Sequence, residues 1–241
     1  MIDKNNLIIK EASFKIVTPL KCLKEYPILI EKWGRKCYKS EHLIKTGSAS
    51  KFIKKIIKNK HLSVIEHLTI TVDVICSRSC SHQLVRHRLG SYSQESQRYT
   101  NYKKRGYEVI CPFSIINKNA EECIKKFDKN KDIVKSFYIN SKYEDWIQTI
   151  LMGIKRYEDL LSQRIKPEDA RSVLPNAMKT EIVTTYNLRE WRHVFEERAL
   201  NLHAQLEIRE LMQSILTKFS ELLPDFFEDQ LEQLNKMKKE K

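Results

Sequence analysis

Apolar side chains alternate with polar ones in a few short runs of this chain and recur at helical spacing in several longer ones, which predicts a mixed strand and helix protein. Residues 7–18, LIIKEASFKIVT, read as a strand with ragged alternation. A helix is predicted within 25–39, where Tyr26, Ile28, Leu29, Ile30 and Trp33 supply an apolar face. In KFIKKIIKN, Phe52, Ile53, Ile56 and Ile57 repeat at helical spacing with lysines opposite, and Gly47-Ser48-Ala49-Ser50 offers the start. LTITVDVIC, 68–76, alternates and is β-branched, a strong strand signal. SCSHQLVRHR reads as a helix that puts Gln83 and His87 on one face, with Gly90 ending it and an irregular loop following.

Further along, YEVICPF is a short strand, and 115–142 is a polar, lysine-rich excursion without visible chemistry. Over 143–164, Trp146, Ile150, Leu151, Ile154, Tyr157, Leu160 and Leu161 form a helical stripe. Pro167-Glu168-Asp169 opens a short helix that Pro175 stops. MKTEIVTTYNL is strand-like and leads into 189–224, whose apolar stripe Leu206, Leu211, Ile215, Phe219 and Leu222 can serve either the internal core or an interface. The tail 225–241 adds a peripheral helix. Together these elements give an α+β fold. A small, mostly antiparallel sheet from strands near 7–18, 68–76, 106–112 and 178–187 is flanked by several helices in a single domain, 1–241.

The chain's 241 residues with 41% hydrophobic content suffice for one sizeable core or two small ones. A net charge of +13 favours anionic partners, yet the lysines are scattered, as solvated surface lysines are. Six cysteines, Cys22, Cys37, Cys76, Cys80, Cys111 and Cys123, at irregular spacings and with no apolar leader, fit a reducing, cytoplasmic setting. No apolar run approaches the roughly 18 residues of a membrane span. Cys76-x-x-x-Cys80-x-His82 has no second Cys/His pair at metal-binding spacing, so these thiols are read as buried and no metal is expected.

The densest chemistry lies in QLVRHRLGSYSQESQRY, 83–99. Arg86, His87, Arg88 and Arg98 accompany hydroxyls at Ser91, Tyr92, Ser93, Ser96 and Tyr99, with almost no aliphatic residue after Leu89. Guanidinium forks and backbone N–H groups beside small residues suit phosphate oxygens. Composition alone leaves a solvated basic loop equally open.

The order of the residues goes further. Arg86-His87-Arg88, seven residues, then Ser96, followed by Gln97-Arg98-Tyr99, resembles the signature of the flavin-dependent thymidylate synthases. Similar to the same family are His61-x-Ser63-x-x-Glu66-His67 upstream and Ala170-Arg171-x-x-Leu174-Pro175 downstream. The resemblance continues through Asn187-Leu188-Arg189, His193, Arg198 and His203-Ala204-Gln205-x-Glu207-Ile208, and covers roughly 50–110 and 143–224. Three positions depart from the family pattern: Gln94 stands where Glu is frequent, Ser93 where Asn is frequent, and His193 where Asn is also used.

The resemblance implies methylation of dUMP to dTMP, with 5,10-methylenetetrahydrofolate giving the carbon and NADPH-reduced FAD the hydride. It implies Gln83, Arg86, Gln94, Ser96, Gln97, Arg98, Arg171 and Arg198 as dUMP ligands, Arg98 and Arg171 at the phosphate. It implies Ser63, Arg86, His87, Arg88, Gln94, Asn187, Arg189 and His193 for FAD, and His61 beside flavin and folate. Glu66 and His67 are read as local structure. The family is homotetrameric with sites built from several chains. Arg189 and Arg198, nine residues apart, would face nearly opposite ways on one straight helix, which suits such sharing.

Making C5 of uracil nucleophilic does not demand a thiolate at C6, and no cysteine falls inside a matching motif. An arginine at the pyrimidine edge can instead favour negative charge at N3 and the neighbouring carbonyls, and Arg198 is the candidate. No general base is placed beside Ser96, which is read as a ligand rather than a nucleophile. Two rival functions are a basic nucleic-acid-binding protein, for which no motif is present, and a sibling flavin enzyme acting on another pyrimidine nucleotide. The favoured reading expects neither nucleic acid nor membrane as partner.

Overall fold

A computed structural model describes residues 7–100, 102–112, 114–115 and 141–240, so most of the 115–142 excursion, and Cys123, lie outside the described residues. Residue contacts divide the chain into two compact units interleaved in sequence, one of Met1–Ala12, Ile75–His82 and Gln94–Ile182, the other of Ser13–Val74, Gln83–Ser93 and Val183–Lys241. Three strands, β3 (Thr69–Ser77), β4 (Gly90–Gln94) and β6 (Lys179–Asn187), cross the boundary, so neither unit is continuous in sequence.

The expected strand over 7–18 is two. β1 (Leu7–Lys10) pairs in parallel with β5 (Tyr107–Ile110), while β2 (Ser13–Ile16) joins a four-stranded antiparallel sheet of order β2-β3-β6-β4. Glu11 and Ala12 break the alternation between them. The strand expected at 106–112 therefore belongs to this separate parallel pair, not to the main sheet.

In the unit that holds most of the motif residues, α1 (Leu20–Lys36) begins five residues before the helix expected within 25–39 and carries Pro27 in its interior. It packs on α2 (Ser48–Lys58), whose buried Ile53 and Ile56 come from the predicted stripe. On β3, Ile70, Val72 and Val74 are buried, as strand alternation requires. The helix read over 79–88 ends early: α3 spans Arg78–Leu84, so Gln83 and His87 do not share a helical face. Gly90 opens strand β4, in place of the expected loop.

Continuous helix from 189 does not hold either. α7 (Leu188–Phe195) passes into a π-helical turn at Glu196–Leu200, and α8 (Leu206–Leu222) starts afresh after the break. The tail is not peripheral. α9 (Pro224–Lys239) packs on α8 and buries Phe226, Phe227 and Leu234. Trp191, Phe195, Phe219 and Phe227 form a chain of ring contacts with centroids 4.9 to 5.7 Å apart, the aromatic core under α7. Arg192 is buried beside it, its two Nη groups bonded to both oxygens of Asp229 and the Phe226 carbonyl, while its buried Nε has no partner.

The other unit has its own core of Tyr102, on the short helix α4 (Tyr102–Arg105), with Tyr107, Val109, Ile150, Ile154, Tyr157, Ala170 and Met178. Ile150, Ile154 and Tyr157 lie on α5 (Ser141–Ser162), matching the stripe read over 143–164, and α6 (Pro167–Ala170) is the expected proline-led short helix. Lys179 is buried among Glu95, Glu108 and Glu181 at 2.5 to 3.5 Å, and these carboxylates hold its pKa above the usual lysine range despite burial. Among the described residues no helix is long and apolar enough to cross a membrane.

Candidate functional site

The Arg86-His87-Arg88 turn owes its shape to two tyrosines. The Tyr92 hydroxyl on β4 lies within hydrogen-bond reach of the His87 carbonyl, of the Leu84 carbonyl at 3.1 Å and of the Tyr186 hydroxyl at 2.7 Å, while Tyr186 itself reaches Leu84 at 3.3 Å. Two hydroxyl protons thus serve the carbonyls that the early end of α3 leaves open. Gly90 permits this arrangement because a β-carbon there would fall 2.2 Å from the Tyr186 ring. Gly90→Ala is therefore expected to overpack the site and cost about 1–3 kcal/mol, read as a lowered urea midpoint without a change in slope.

Held this way, His87 is buried and Arg86 and Arg88 are exposed. The His87 ring meets three groups from the 187–198 segment. Arg198 Nε–H donates to His87 Nε2 at 3.1 Å, Glu190 Oε1 lies 3.7 Å from Nδ1, and the His193 ring stands edge-on at a centroid distance of 5.9 Å. Burial first, then the Arg198 and His193 charges, push the His87 pKa down to about 4, so its Nε2 lone pair is available at neutral pH. Burial raises the Glu190 pKa, partly offset by His193 and Arg189.

Arg198 reaches this place because it sits in the π-helical turn, so the nine-residue spacing from Arg189 no longer maps onto opposite faces of one straight helix. Arg189, exposed, pairs with Glu66 at 2.5 Å. Asn187 caps α7, its side-chain oxygen accepting from Glu190 N–H at 2.8 Å. His61 and Ser63 are exposed at the start of a 3-10 turn, Leu62–His67, and His67 packs edge-on against Trp33. Gln83 bonds Gln205 at 2.6 Å. Ten of the candidate residues, His61, Ser63, Gln83, Arg86, His87, Arg88, Asn187, Arg189, His193 and Arg198, thus belong to one unit.

The remaining five, Gln94, Ser96, Gln97, Arg98 and Arg171, belong to the other. Arg98 and Arg171 meet at one residue: Arg98 donates from Nε and Nη2 to the Glu168 carboxylate at 3.2 and 2.9 Å, and Arg171 Nε donates to the Glu168 carbonyl at 3.2 Å. Ser96 is wrapped into the same turn, its Oγ accepting from Arg98 N–H at 3.3 Å, and Gln97 is buried. Gln94 donates to the Ser81 and Thr180 hydroxyls at 2.8 and 3.2 Å, bonds that a glutamate could make only as an acceptor.

Among the described residues, His87, Glu190 and His193 bring their ligating atoms within 4.8 Å of one another. The His87 Nε2 lone pair already accepts from a guanidinium, which opposes a cation there. Cys76 and Cys80 are buried and His82 is exposed, in keeping with thiols that pack. Burial pushes the Cys111 thiol up to about 12, far from a nucleophilic thiolate.

Glu190 is not legible in the sequence as a site residue because Asn187-x-x-Glu190 reads as an ordinary helix capping box. Tyr186 and Glu168 read likewise as strand and cap residues, and Tyr92 shows only as one hydroxyl among several in a stretch read as a loop.

Three comparisons bear on this arrangement. The family model described as "Thymidylate synthase complementing protein" matches residues 21–225. The flavin-dependent thymidylate synthase of Pyrococcus furiosus is 34% identical over 195 residues, 80% of this chain and 71% of that one. The protein of the same name from Mycobacteroides abscessus is 35% identical over 208 residues, 84% of this chain and 79% of that one. The solved structure of the UMP/dUMP methylase PolB from Streptomyces cacaoi, bound with 5-Br dUMP, superposes with a TM-score of 0.69, covering 92% of this chain and 95% of that one at 21% identity, a shared fold.

Proposed function

The chain belongs to the thymidylate synthase complementing protein family, and from that premise we propose that it is a flavin-dependent thymidylate synthase converting dUMP to dTMP. The observation that carries the reading is Arg198, turned by a π-helical segment onto a neutral His87, with its Nη donors left for a ligand. In this reading Arg198 lies along the pyrimidine edge and stabilises negative charge at N3 and the adjoining carbonyls, raising electron density at C5. 5,10-Methylenetetrahydrofolate is the carbon donor. Reduced FAD, when bound, supplies the hydride it has drawn from NADPH.

Arg98 and Arg171 hold the 5′-phosphate. An exposed ion pair such as Arg98–Glu168, with side chains 48% and 40% exposed, contributes at most about 1 kcal/mol, so a phosphate dianion can take the carboxylate's place. Glu168→Gln is accordingly expected to tighten dUMP binding about two- to fivefold, measured by titration calorimetry. An unchanged or weaker affinity would remove Glu168 from the phosphate subsite.

For FAD, the exposed Arg86, Arg88 and Arg189 offer guanidinium donors of the kind a pyrophosphate takes, with Ser63, His87, Gln94, Asn187 and His193 as further ligands and His61 beside flavin and folate. The Asn187 side chain would have to serve the cofactor through its amide N–H while its oxygen stays in the helix cap. Gln83, Arg86, Gln94, Ser96 and Gln97 orient the nucleotide. The reading further includes a cytoplasmic homotetramer that forms one functional domain per chain, with sites shared among subunits.

The test is an absorption spectrum of purified protein supplied with FAD, followed by anaerobic NADPH with and without dUMP. Flavin bands that bleach faster with dUMP present support the reading. Failure to bind FAD overturns it. A second reading, methylation of UMP, is favoured by the fold shared with the UMP/dUMP methylase and is separated by offering both nucleotides and analysing products.

A further inference from the structure

Arginine side chains lose rotamer freedom when fixed, so a guanidinium that must meet a flat ring edge needs something to aim it. Arg198 is only half-buried and sits in a turn that a single helical periodicity does not specify. One of its five N–H groups, Nε–H, is already committed, 3.1 Å from His87 Nε2. That bond leaves the two Nη groups as the free end of the fork.

We propose that His87 is a positioning residue for Arg198: its Nε2 accepts from Arg198 Nε–H and so aims the Nη donors at the pyrimidine, with Glu190 fixing the histidine tautomer. This rests on the reading of Arg198 as the residue at the uracil edge. For Nε2 to accept, the ring proton must sit on Nδ1, and the Glu190 carboxylate faces that atom at 3.7 Å. The ring itself cannot drift. Its carbonyl is gripped by the Tyr92 hydroxyl, and Tyr186 and His193 stand edge-on to it with centroids at 6.4 and 5.9 Å. Glu190 and His193 lie one turn apart on α7, which runs directly into the π-helical turn carrying Arg198, so the carboxylate, the second imidazole and the guanidinium arrive on one segment. His87, coming from the turn before β4, is the group they close around.

Two substitutions separate positioning from packing. His87→Gln places an amide oxygen near the Nε2 position and keeps an acceptor, whereas His87→Asn is shorter, reaches only the Nδ1 position and cannot accept from Arg198. Both are assayed as the FAD-loaded full chain for flavin affinity and for kcat/KM toward dUMP. In parallel, 15N-arginine labelling follows the Arg198 Nε–H signal, identified by its loss in Arg198→Lys.

The expected result is slow hydrogen exchange of that signal in the unsubstituted protein and in His87→Gln and fast exchange in His87→Asn. With it, kcat/KM for dUMP, measured at saturating FAD, should fall about 10- to 100-fold in His87→Asn and largely recover in His87→Gln. Equal exchange in all three, or lost protection in His87→Asn with unchanged kcat/KM, overturns the proposal. If the unsubstituted protein shows the protected signal but turns over no dUMP, the functional reading fails, and the positioning role toward dUMP fails with it.

Discussion

Arg198→Ala is expected to lower the rate of dTMP formation at least 100-fold while the protein still folds and binds FAD. Removing one preorganised donor from developing charge typically costs 10²–10³ in rate, and here the donor is a full cation that none of the buried thiols among the described residues is set to assist. Cys111 is buried with its pKa pushed up to about 12, and Cys76 and Cys80 are buried as well. Arg198→Lys keeps the charge but loses both the Nε–H bond to His87 and the planar fork, so it is expected to recover little. Single-turnover assays with prereduced flavin check this. A variant retaining more than a tenth of the rate would move dUMP activation elsewhere.

Trp191→Ala carries the largest expected effect on stability, about 3–5 kcal/mol. The indole is fully buried, 4.8 Å from Tyr186, 5.5 Å from Phe195 and 4.9 Å from Phe219 between ring centroids, and its Nε1–H donates to the Ile70 carbonyl at 3.0 Å. Truncation opens a cavity and removes that hydrogen bond. Because Trp191 lies between Glu190 and His193 on α7 and touches the tyrosine that shapes the His87 turn, activity should fall with the folded fraction. Trp191→Phe keeps much of the volume and loses chiefly the hydrogen bond, so it should cost about 1–3 kcal/mol. Equilibrium urea unfolding followed by far-ultraviolet dichroism reads both.

Elements with strong periodicity are legible in the amino-acid sequence. β3 and β6 show in the alternation of LTITVDVIC and KTEIVTTYN, and α5 in its stripe of Ile150, Ile154 and Tyr157. What escapes lacks such a signal. β4, GSYSQ, is a polar edge strand whose one large inward group is Tyr92, and nothing in its composition separates it from a loop. The π-helical turn at Glu196–Leu200 departs from 3.6 residues per turn for five residues only, too short to register in any apolar pattern. The tail reads as peripheral because charge dominates it, yet Phe226 and Phe227 tie it to the aromatic core.

The candidate site divides the same way. Arg-His-Arg and the distant arginines are legible as types of residue in order, because a phosphate or pyrimidine ligand constrains identity more than periodicity. The partners that set their geometry, Glu190, Tyr92, Tyr186 and Glu168, are not, since each also satisfies an ordinary structural role. Asn187 and Glu190 form a cap, and Glu190 also faces His87 across 3.7 Å.

The most direct test of the central claim is product analysis. Purified protein with FAD, NADPH and 5,10-methylenetetrahydrofolate is given dUMP and UMP in equal amounts, and the nucleotides are resolved by mass spectrometry. The account predicts dTMP from dUMP, dependent on every component, with UMP left unmethylated. Methylation of UMP in preference to dUMP, or no methylated nucleotide from protein that binds FAD, would contradict it.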